Sequence, residues 1–196
     1  MTRDSLLSRA RSRNSRAWNE LVALYAPLVS HWIRQRGLGL HESEDCLQEV
    51  FVALSNSLNR FEANGKSGSF RSWLWTMTLN KIRDQMRTSA RREAAKGGSS
   101  AAARIQNTID LSVSADDMLF EDEPTDELEL KQLTRRALDQ IRDEFAARTW
   151  CIFDRSIIDG IATAQVAQEF EVTPATVRKV RSRILRRLRQ QLGDLG

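Results

Sequence analysis

The sequence predicts an all-α protein of two small helical domains joined by a flexible acidic linker. Apolar residues recur at helical spacing along most of the chain, and no stretch alternates as a β-strand does. The charge falls into three blocks: residues 1–92 have 15 basic and 8 acidic side chains, residues 93–126 have 2 and 8, and residues 127–196 have 13 and 10. These blocks predict domains at 1–92 and 127–196 and a linker at 93–126.

Bulk composition limits the classes of function. With 41% hydrophobic and 29% charged residues, the 196-residue chain has enough apolar side chains for ordinary cores. No run of about 18 apolar residues occurs, and the N-terminus lacks the apolar segment of a secretory signal, so we expect a cytoplasmic protein. Cys46 and Cys151 lie in apolar helical patterns and are expected to be buried free thiols. With two histidines and no His/Cys cluster, neither a metal nor a cofactor is expected.

The N-terminal block contains three helical patterns. The first covers residues 18–33, where Pro27 predicts a kink or a break. Ser43 is the predicted N-cap of the second helix. The polar face of that helix carries Asp45, Gln48 and Glu49. The third, GSFRSWLWTMTLNKIRDQMR at 68–87, has apolar residues on two opposite arcs, and both are expected to pack against neighbouring helices. The side chains that remain exposed are predicted to be basic, namely Arg71, Lys81, Arg83 and Arg87.

Residues 162–192 have the pattern of a helix-turn-helix. A short apolar helix is followed by the turn EVT, after which Thr173 can cap a second helix that begins with Pro174. The early residues of this second helix are expected to reach base edges in the major groove, and its later arginines to hold phosphates. The candidates are Thr176, Arg178, Lys179, Ser182 and Arg183, then Arg186 and Arg187. Arg181 falls within the apolar arc, and the sequence leaves open whether it pairs with a buried acid or reaches a phosphate.

A series of motif residues in the N-terminal block resembles a known family. The series is Glu44, Asp45, Gln48, Glu49, Phe51, Phe70, Trp73, Leu74, Asn80, Asp84 and Arg87. It is similar to the second conserved domain of bacterial RNA polymerase sigma factors, in particular the small extracytoplasmic-function (ECF) group. The C-terminal helix-turn-helix resembles the fourth sigma domain, and its RSRIL ending resembles a subset common in planctomycetes. Glu171 departs from the family pattern, because many relatives have glycine at that turn position.

The resemblance implies a protein that is not an enzyme but binds core RNA polymerase and promoter DNA and directs promoter recognition, melting and transcription initiation. Residues 1–92 would bind core polymerase and the minus-ten element, and residues 127–196 the minus-thirty-five element. The implied contacts on the polymerase are the clamp helices of the largest subunit and the flap. The implied polymerase-binding residues are Asp45, Gln48 and Glu49. The implied minus-ten residues are Asn64, Lys66 and Ser67 in a loop, then Arg71, Lys81, Arg83 and Arg87. An anti-sigma protein stays open as a further partner.

Other interpretations are weaker. The acidic linker either follows the basic channel of the polymerase, as the resemblance implies, or is only a solubilising tether; the acids concerned are Asp116, Asp117, Glu121, Asp122 and Glu123. A dimeric helix-turn-helix regulator would need a dimerisation helix, and the chain offers no obvious leucine seam. An adaptor that binds only an anti-sigma protein would not need seven basic residues between Arg178 and Arg189. An enzyme is disfavoured because no nucleophile–base set, phosphate loop or metal spacing is present in the sequence.

Overall fold

A computed structural model describes residues 5–62, 69–95 and 123–193, with side chains described to Arg92 in the second range. These ranges contain eight α-helices: α1 (Leu6–Arg11), α2 (Ser15–Gln35), α3 (Leu40–Ser57), α4 (Ser69–Ala95), α5 (Glu127–Ile141), α6 (Ala147–Phe153), α7 (Thr163–Glu169) and α8 (Pro174–Gln191). Short 3-10 turns lie at Leu58–Arg60 and Arg142–Glu144, and a π-helical turn at Asp154–Ile158. The described ranges contain no β-strand, so the predicted all-α class is confirmed. Most of the predicted linker, residues 96–122, lies outside them.

The chain divides into two compact units. One unit combines the described residues up to Leu24 with those from Leu130 onwards, and the other combines Tyr25–Phe61 with the described residues from Ser69 to Glu129. We call these the terminal unit and the central unit. The N-terminal helix therefore packs in the same unit as the C-terminal helices, which differs from the division expected from charge. The functional domain boundaries at 92 and 127 stay a prediction.

The central unit is built around aromatic side chains. The rings of Trp32 and Trp75 meet edge to face with centroids 5.5 Å apart, and those of Tyr25 and Phe70 do so at 5.0 Å. On α4 the buried residues include both predicted arcs: Phe70 and Leu74 on one, and Trp75, Leu79 and Ile82 on the other. The prediction that both arcs pack is confirmed, although Trp73, Met77 and Met86 are only half-buried. A helix buried on two sides leaves little of its circumference for binding.

The predicted N-cap of α3 is wrong, and of the kink or break predicted at Pro27 the break is not observed. The helix α2 passes through Pro27 without a break. Proline removes one intrahelical hydrogen bond, and burial of Tyr25 and Leu28 on either side favours the continuous helix. The helix α3 begins at Leu40 rather than after Ser43, because the carboxylate of Glu42 accepts a hydrogen bond from the N–H of Gly39 at 3.2 Å and satisfies the first turn.

The terminal unit contains the predicted helix-turn-helix as α7 and α8. Ile152, Val166, Ala167 and Val177 form its buried apolar cluster. The hydroxyl of Thr173 accepts a hydrogen bond from the N–H of Thr176 at 3.2 Å, and Pro174 occupies the first turn, so the predicted cap is confirmed.

The predictions for the two cysteines had different outcomes. Cys46 on α3 is buried and free, as predicted. Cys151 on α6 is also free but exposed, so its predicted burial is wrong. Its neighbours Trp150 and Ile152 are both buried, and three consecutive residues of a helix cannot all face the same side.

Candidate binding surfaces

The predicted polymerase-binding residues lie on one exposed face of α3. Asp45, Gln48 and Glu49 line a groove of about 600 Å³ between α3 and α4. The side of the groove formed by α4 carries Lys81, Gln85 and Arg92. Val52 also lines the groove and is 61% exposed. The groove therefore offers a partner both charges and an apolar contact.

Glu49 is held in place from α4. The amide Nε2 of Gln85 donates a hydrogen bond to Glu49 Oε1 at 3.1 Å, and Lys81 Nζ lies 3.6 Å from Glu49 Oε2. The Glu49 side chain is still 47% exposed, so the carboxylate remains accessible to a partner. Its charge also acts on Cys46: burial first, and then Glu49, raise the pKa of that thiol to about 11, while Lys81 opposes the shift.

Sequence reasoning missed Gln85 and Arg92 as groove residues and assigned Lys81 to DNA alone. Lys81, Gln85 and Arg92 follow one another at spacings of four and seven residues, which places them on one face of α4. This periodicity is visible in the sequence, but the choice of α3 as the facing helix is not. Lys81 therefore lines the groove and contacts Glu49.

The remaining basic residues of α4 differ in exposure. The Arg71 side chain is only 20% exposed, and its Nε lies 2.8 Å from Glu123 Oε1, so its predicted exposure is wrong. Arg83 is half-buried. The Arg87 side chain is 48% exposed, with Nη1 3.9 Å from Asp84 Oδ1. The three loop candidates, Asn64, Lys66 and Ser67, lie outside the described residues.

Six predicted DNA-binding residues on the second helix of the helix-turn-helix are exposed: Thr176, Arg178, Lys179, Ser182, Arg183 and Arg186. Two of them also have contacts within the protein. The hydroxyl of Thr176 shares a hydrogen bond of 2.9 Å with that of Thr173, and the Arg183 guanidinium lies 5.4 Å from the ring centre of Phe145. The structure thus brings the six side chains onto one exposed, strongly basic helix face.

Two other arginines of α8 are placed differently from that face. Arg187, predicted to hold a phosphate, is 7% exposed and forms two hydrogen bonds with Glu144, so this prediction is wrong. Arg181 is half-buried and donates a hydrogen bond from Nη1 to Thr163 Oγ1 at 3.3 Å. This bond to a hydroxyl differs from both roles considered for Arg181, and its contact with a phosphate stays a prediction.

No group of three or more His, Cys, Asp or Glu side chains in the described ranges is arranged to hold a metal ion. None of the helices in the described part of the chain has the length and apolar character needed to span a membrane.

Comparison with known proteins identifies the class of the N-terminal segment. Residues 21–92 match the family model described as Sigma-70 region 2, and this segment contains the groove and the basic residues of α4. Over 82 residues the chain is 34% identical to the RNA polymerase sigma factor CnrH of Cupriavidus metallidurans, and over 84 residues it is 29% identical to the sigma factor NccH of Alcaligenes xylosoxydans xylosoxydans. The matches cover 42% and 43% of this chain and 41% and 44% of the two relatives. Each match thus spans less than half of the relative's own length.

Proposed function

We propose that the protein is an ECF-type sigma factor, which binds core RNA polymerase and directs promoter recognition, DNA melting and transcription initiation. The observation that carries this proposal is the likeness of residues 21–92 to Sigma-70 region 2, with the three implied polymerase-binding residues on one exposed face. Sigma factors act by binding and deforming nucleic acid, so the side chains that matter are contacts rather than catalysts. The protein would act in the cytoplasm, where the polymerase works.

The groove between α3 and α4 is the proposed polymerase contact. Asp45 and Glu49 provide exposed carboxylates, and an arginine-bearing partner helix would form charge-assisted hydrogen bonds with them. We propose that the clamp helices of the largest subunit are this partner. Gln85 and Lys81 are positioning residues in this proposal, because they fix the Glu49 carboxylate before the partner arrives.

The exposed face of α8 is the proposed contact with the minus-thirty-five element. Thr176, Arg178 and Lys179 lie in the first turns of α8, and in a recognition helix the first turns meet base edges, which supports the proposal. The half of the chain that contains α8 lies outside the match to Sigma-70 region 2. The basic residues of α4, with the loop at 63–68, are the proposed contact with the melted minus-ten strand.

The test combines polymerase binding with transcription. Labelled protein is titrated with bacterial core RNA polymerase, and the transcripts that the assembled enzyme makes on genomic DNA are mapped at their starts. We expect tight binding and start sites that share a two-part upstream motif at fixed spacing. The double charge reversal Asp45→Lys with Glu49→Lys is expected to weaken polymerase binding at least tenfold, which corresponds to about 1.4 kcal/mol.

A matched control separates the groove from net charge. Asp139→Lys with Asp143→Lys changes the charge equally at two exposed positions outside the proposed contacts and should bind core polymerase like the unaltered chain. Circular dichroism and urea unfolding establish that both variants are folded. Equal affinity of both variants for polymerase would contradict the groove as the polymerase contact. Start sites without a shared motif would contradict the sigma function itself.

A further inference from the structure

The end of the acidic segment lies against the proposed DNA-binding helix. Glu123 Oε1 is 2.8 Å from Arg71 Nε on α4, and the side chains of Glu123 and Arg71 are only 10% and 20% exposed. The hydroxyl of Thr125 also donates a hydrogen bond to Glu123 Oε1, which orients the carboxylate. Water and salt screen a half-buried ion pair less than an exposed one, so this contact resists competition by simple ions.

A second contact joins the same stretch of chain to α2, within the central unit. Glu129 Oε1, in the first turn of α5, lies 3.4 Å from His31 Nε2 on α2. Between these anchors, Asp126 accepts hydrogen bonds from the N–H groups of Leu128 at 2.8 Å and Glu129 at 2.9 Å, which caps α5. A carboxylate tethered this closely has a high effective concentration at Arg71.

We propose that the acidic segment is an intramolecular competitor of DNA, with the Glu123 carboxylate occupying the place at Arg71 that a phosphate of the single strand would take. The inference rests on the proposed role of Arg71 in DNA binding. Carboxylate and phosphate oxygens are alternative anionic partners of one guanidinium, and the Glu123 carboxylate holds this place as an ion pair rather than through a hydrogen bond from Arg71 Nε. The free chain therefore binds single strands weakly, and a strand that reaches Arg71 displaces Glu123.

The experiment measures binding of a fluorescent single-stranded oligothymidine to the full-length protein. We expect Glu123→Gln to bind it about 3- to 10-fold more tightly than the unaltered chain, since the competing charge is removed while the shape is kept. The slope of log affinity against log salt should also steepen by up to about 0.7, because Arg71 can then neutralise one further phosphate without competition from the Glu123 carboxylate. A purely structural role of Glu123 would leave that slope unchanged.

Two further variants decide whether the effect passes through Arg71. Asp139→Asn removes one exposed negative charge elsewhere and should bind the oligonucleotide nearly as the unaltered chain does. In the double variant Arg71→Gln with Glu123→Gln, the gain in oligonucleotide affinity should disappear. Glu123→Asp keeps the negative charge and should not gain affinity. Urea unfolding of each variant identifies any that is unfolded. If Glu123→Gln binds no better than Asp139→Asn, or if its gain persists without Arg71, the inference is wrong.

Failure of this inference is distinguishable from failure of the proposed function. Core polymerase affinity of the unaltered chain is measured alongside that of Glu123→Gln, and the two are expected to be equal. A chain that does not bind polymerase, yet gains DNA affinity through Arg71 in Glu123→Gln, would contradict the sigma proposal and support the competitor. A chain that binds polymerase, but whose Glu123→Gln variant gains no DNA affinity, would support the sigma proposal and contradict the competitor.

Discussion

Arg187 and Glu144 form an ion pair with two hydrogen bonds inside the terminal unit. Arg187 Nε donates to Glu144 Oε2 at 2.8 Å, and Arg187 Nη2 donates to Glu144 Oε1 at 2.7 Å. The Arg187 side chain is 8% exposed and that of Glu144 is 22% exposed. One turn further along α8, Gln191 Nε2 donates to Gln140 Oε1 at 2.8 Å. These polar bonds join the C-terminal half of α8 to the segment that ends α5.

Removing Arg187 is expected to destabilise the protein without a direct effect on DNA contacts. Arg187→Ala removes two hydrogen bonds from the partly buried Glu144 carboxylate, at a cost of about 2 kcal/mol, below the full range for deeply buried pairs because Glu144 is partly exposed. Urea unfolding measures this loss. Arg186→Ala, at an exposed neighbouring position, should change the free energy of unfolding by less than about 0.5 kcal/mol. Equal losses of unfolding free energy in Arg187→Ala and Arg186→Ala would contradict a stabilising role for the pair of Arg187 and Glu144.

The burial of Arg187 and Arg71 shows what sequence periodicity cannot predict. Spacing along α8 placed Arg187 on the basic arc, yet its environment depends on Glu144, which is 43 residues away in sequence. Arg71 was expected to be exposed for the same reason, and Glu123 covers it. A helical wheel gives the direction of a side chain but not the element that meets it.

Local features were predicted better, because the residues that cause them are close in sequence. The cap of α8 needs only Thr173, Pro174 and the N–H of Thr176, and it was predicted correctly. The start of α3 was missed for a local reason: Glu42 serves Gly39 as a capping partner, and Ser43 was the more familiar cap residue. The pairing of Glu49 with Gln85 required knowledge of which helices are neighbours.

Glycine at position 171 is expected to suit the turn between α7 and α8. Glu171 has a φ of +49°, in the left-handed region that costs a residue with a side chain about 1 kcal/mol. Glu171→Gly should therefore leave the free energy of unfolding equal or raise it by up to about 1 kcal/mol. As a control, Gln168→Gly within α7 should lower it by about 1 kcal/mol, since that position is helical. If thermal unfolding shows the same loss of stability for Glu171→Gly and Gln168→Gly, the turn is not strained at position 171.

Glu42 is expected to make stability depend on pH. A hydrogen bond from Ser89 at 2.6 Å, and then one from the Gly39 N–H, hold the pKa of Glu42 below its ordinary value of 4.5. A lowered pKa in the folded state means stabilisation that is present above the unfolded pKa and is lost as the pH falls through the folded pKa. Glu42→Gln should thus cost about 1 kcal/mol near neutral pH and progressively less in acid.

The matched control for Glu42 is its exposed neighbour on the same helix. Glu44→Gln should differ from the unaltered chain by less than about 0.5 kcal/mol at every pH, because Glu44 lies on the exposed side of α3. Urea titrations at several pH values measure both variants. A loss in Glu42→Gln that stays constant from neutral to acid pH would contradict the assignment of the pH dependence to this carboxylate.

The two thiols are expected to differ in reactivity. Burial, and then the charge of Glu49, raise the pKa of Cys46 to about 11, so almost no thiolate exists near neutral pH, whereas Cys151 is exposed. Iodoacetamide should modify Cys151 in the folded protein and reach Cys46 only when urea unfolds it. Mass spectrometry of the modified peptides measures both rates, and Cys151→Ser provides the control. Rapid modification of Cys46 in the folded variant would contradict its burial.

Arg178 is expected to contribute to promoter affinity, whereas Arg187 contributes to stability. It lies exposed in the early turns of α8, and an arginine that reads a base there contributes about 1–3 kcal/mol of discrimination. Arg178→Ala should therefore weaken binding of the assembled polymerase to its mapped promoter by about 5- to 150-fold and leave the free energy of unfolding unchanged.

Arg135→Ala removes the same charge from an exposed position on α5 and should have little effect on promoter binding. Fluorescence anisotropy with labelled promoter DNA measures both. If the two variants lose affinity equally, α8 contributes only net charge, and its proposed place in the major groove is wrong.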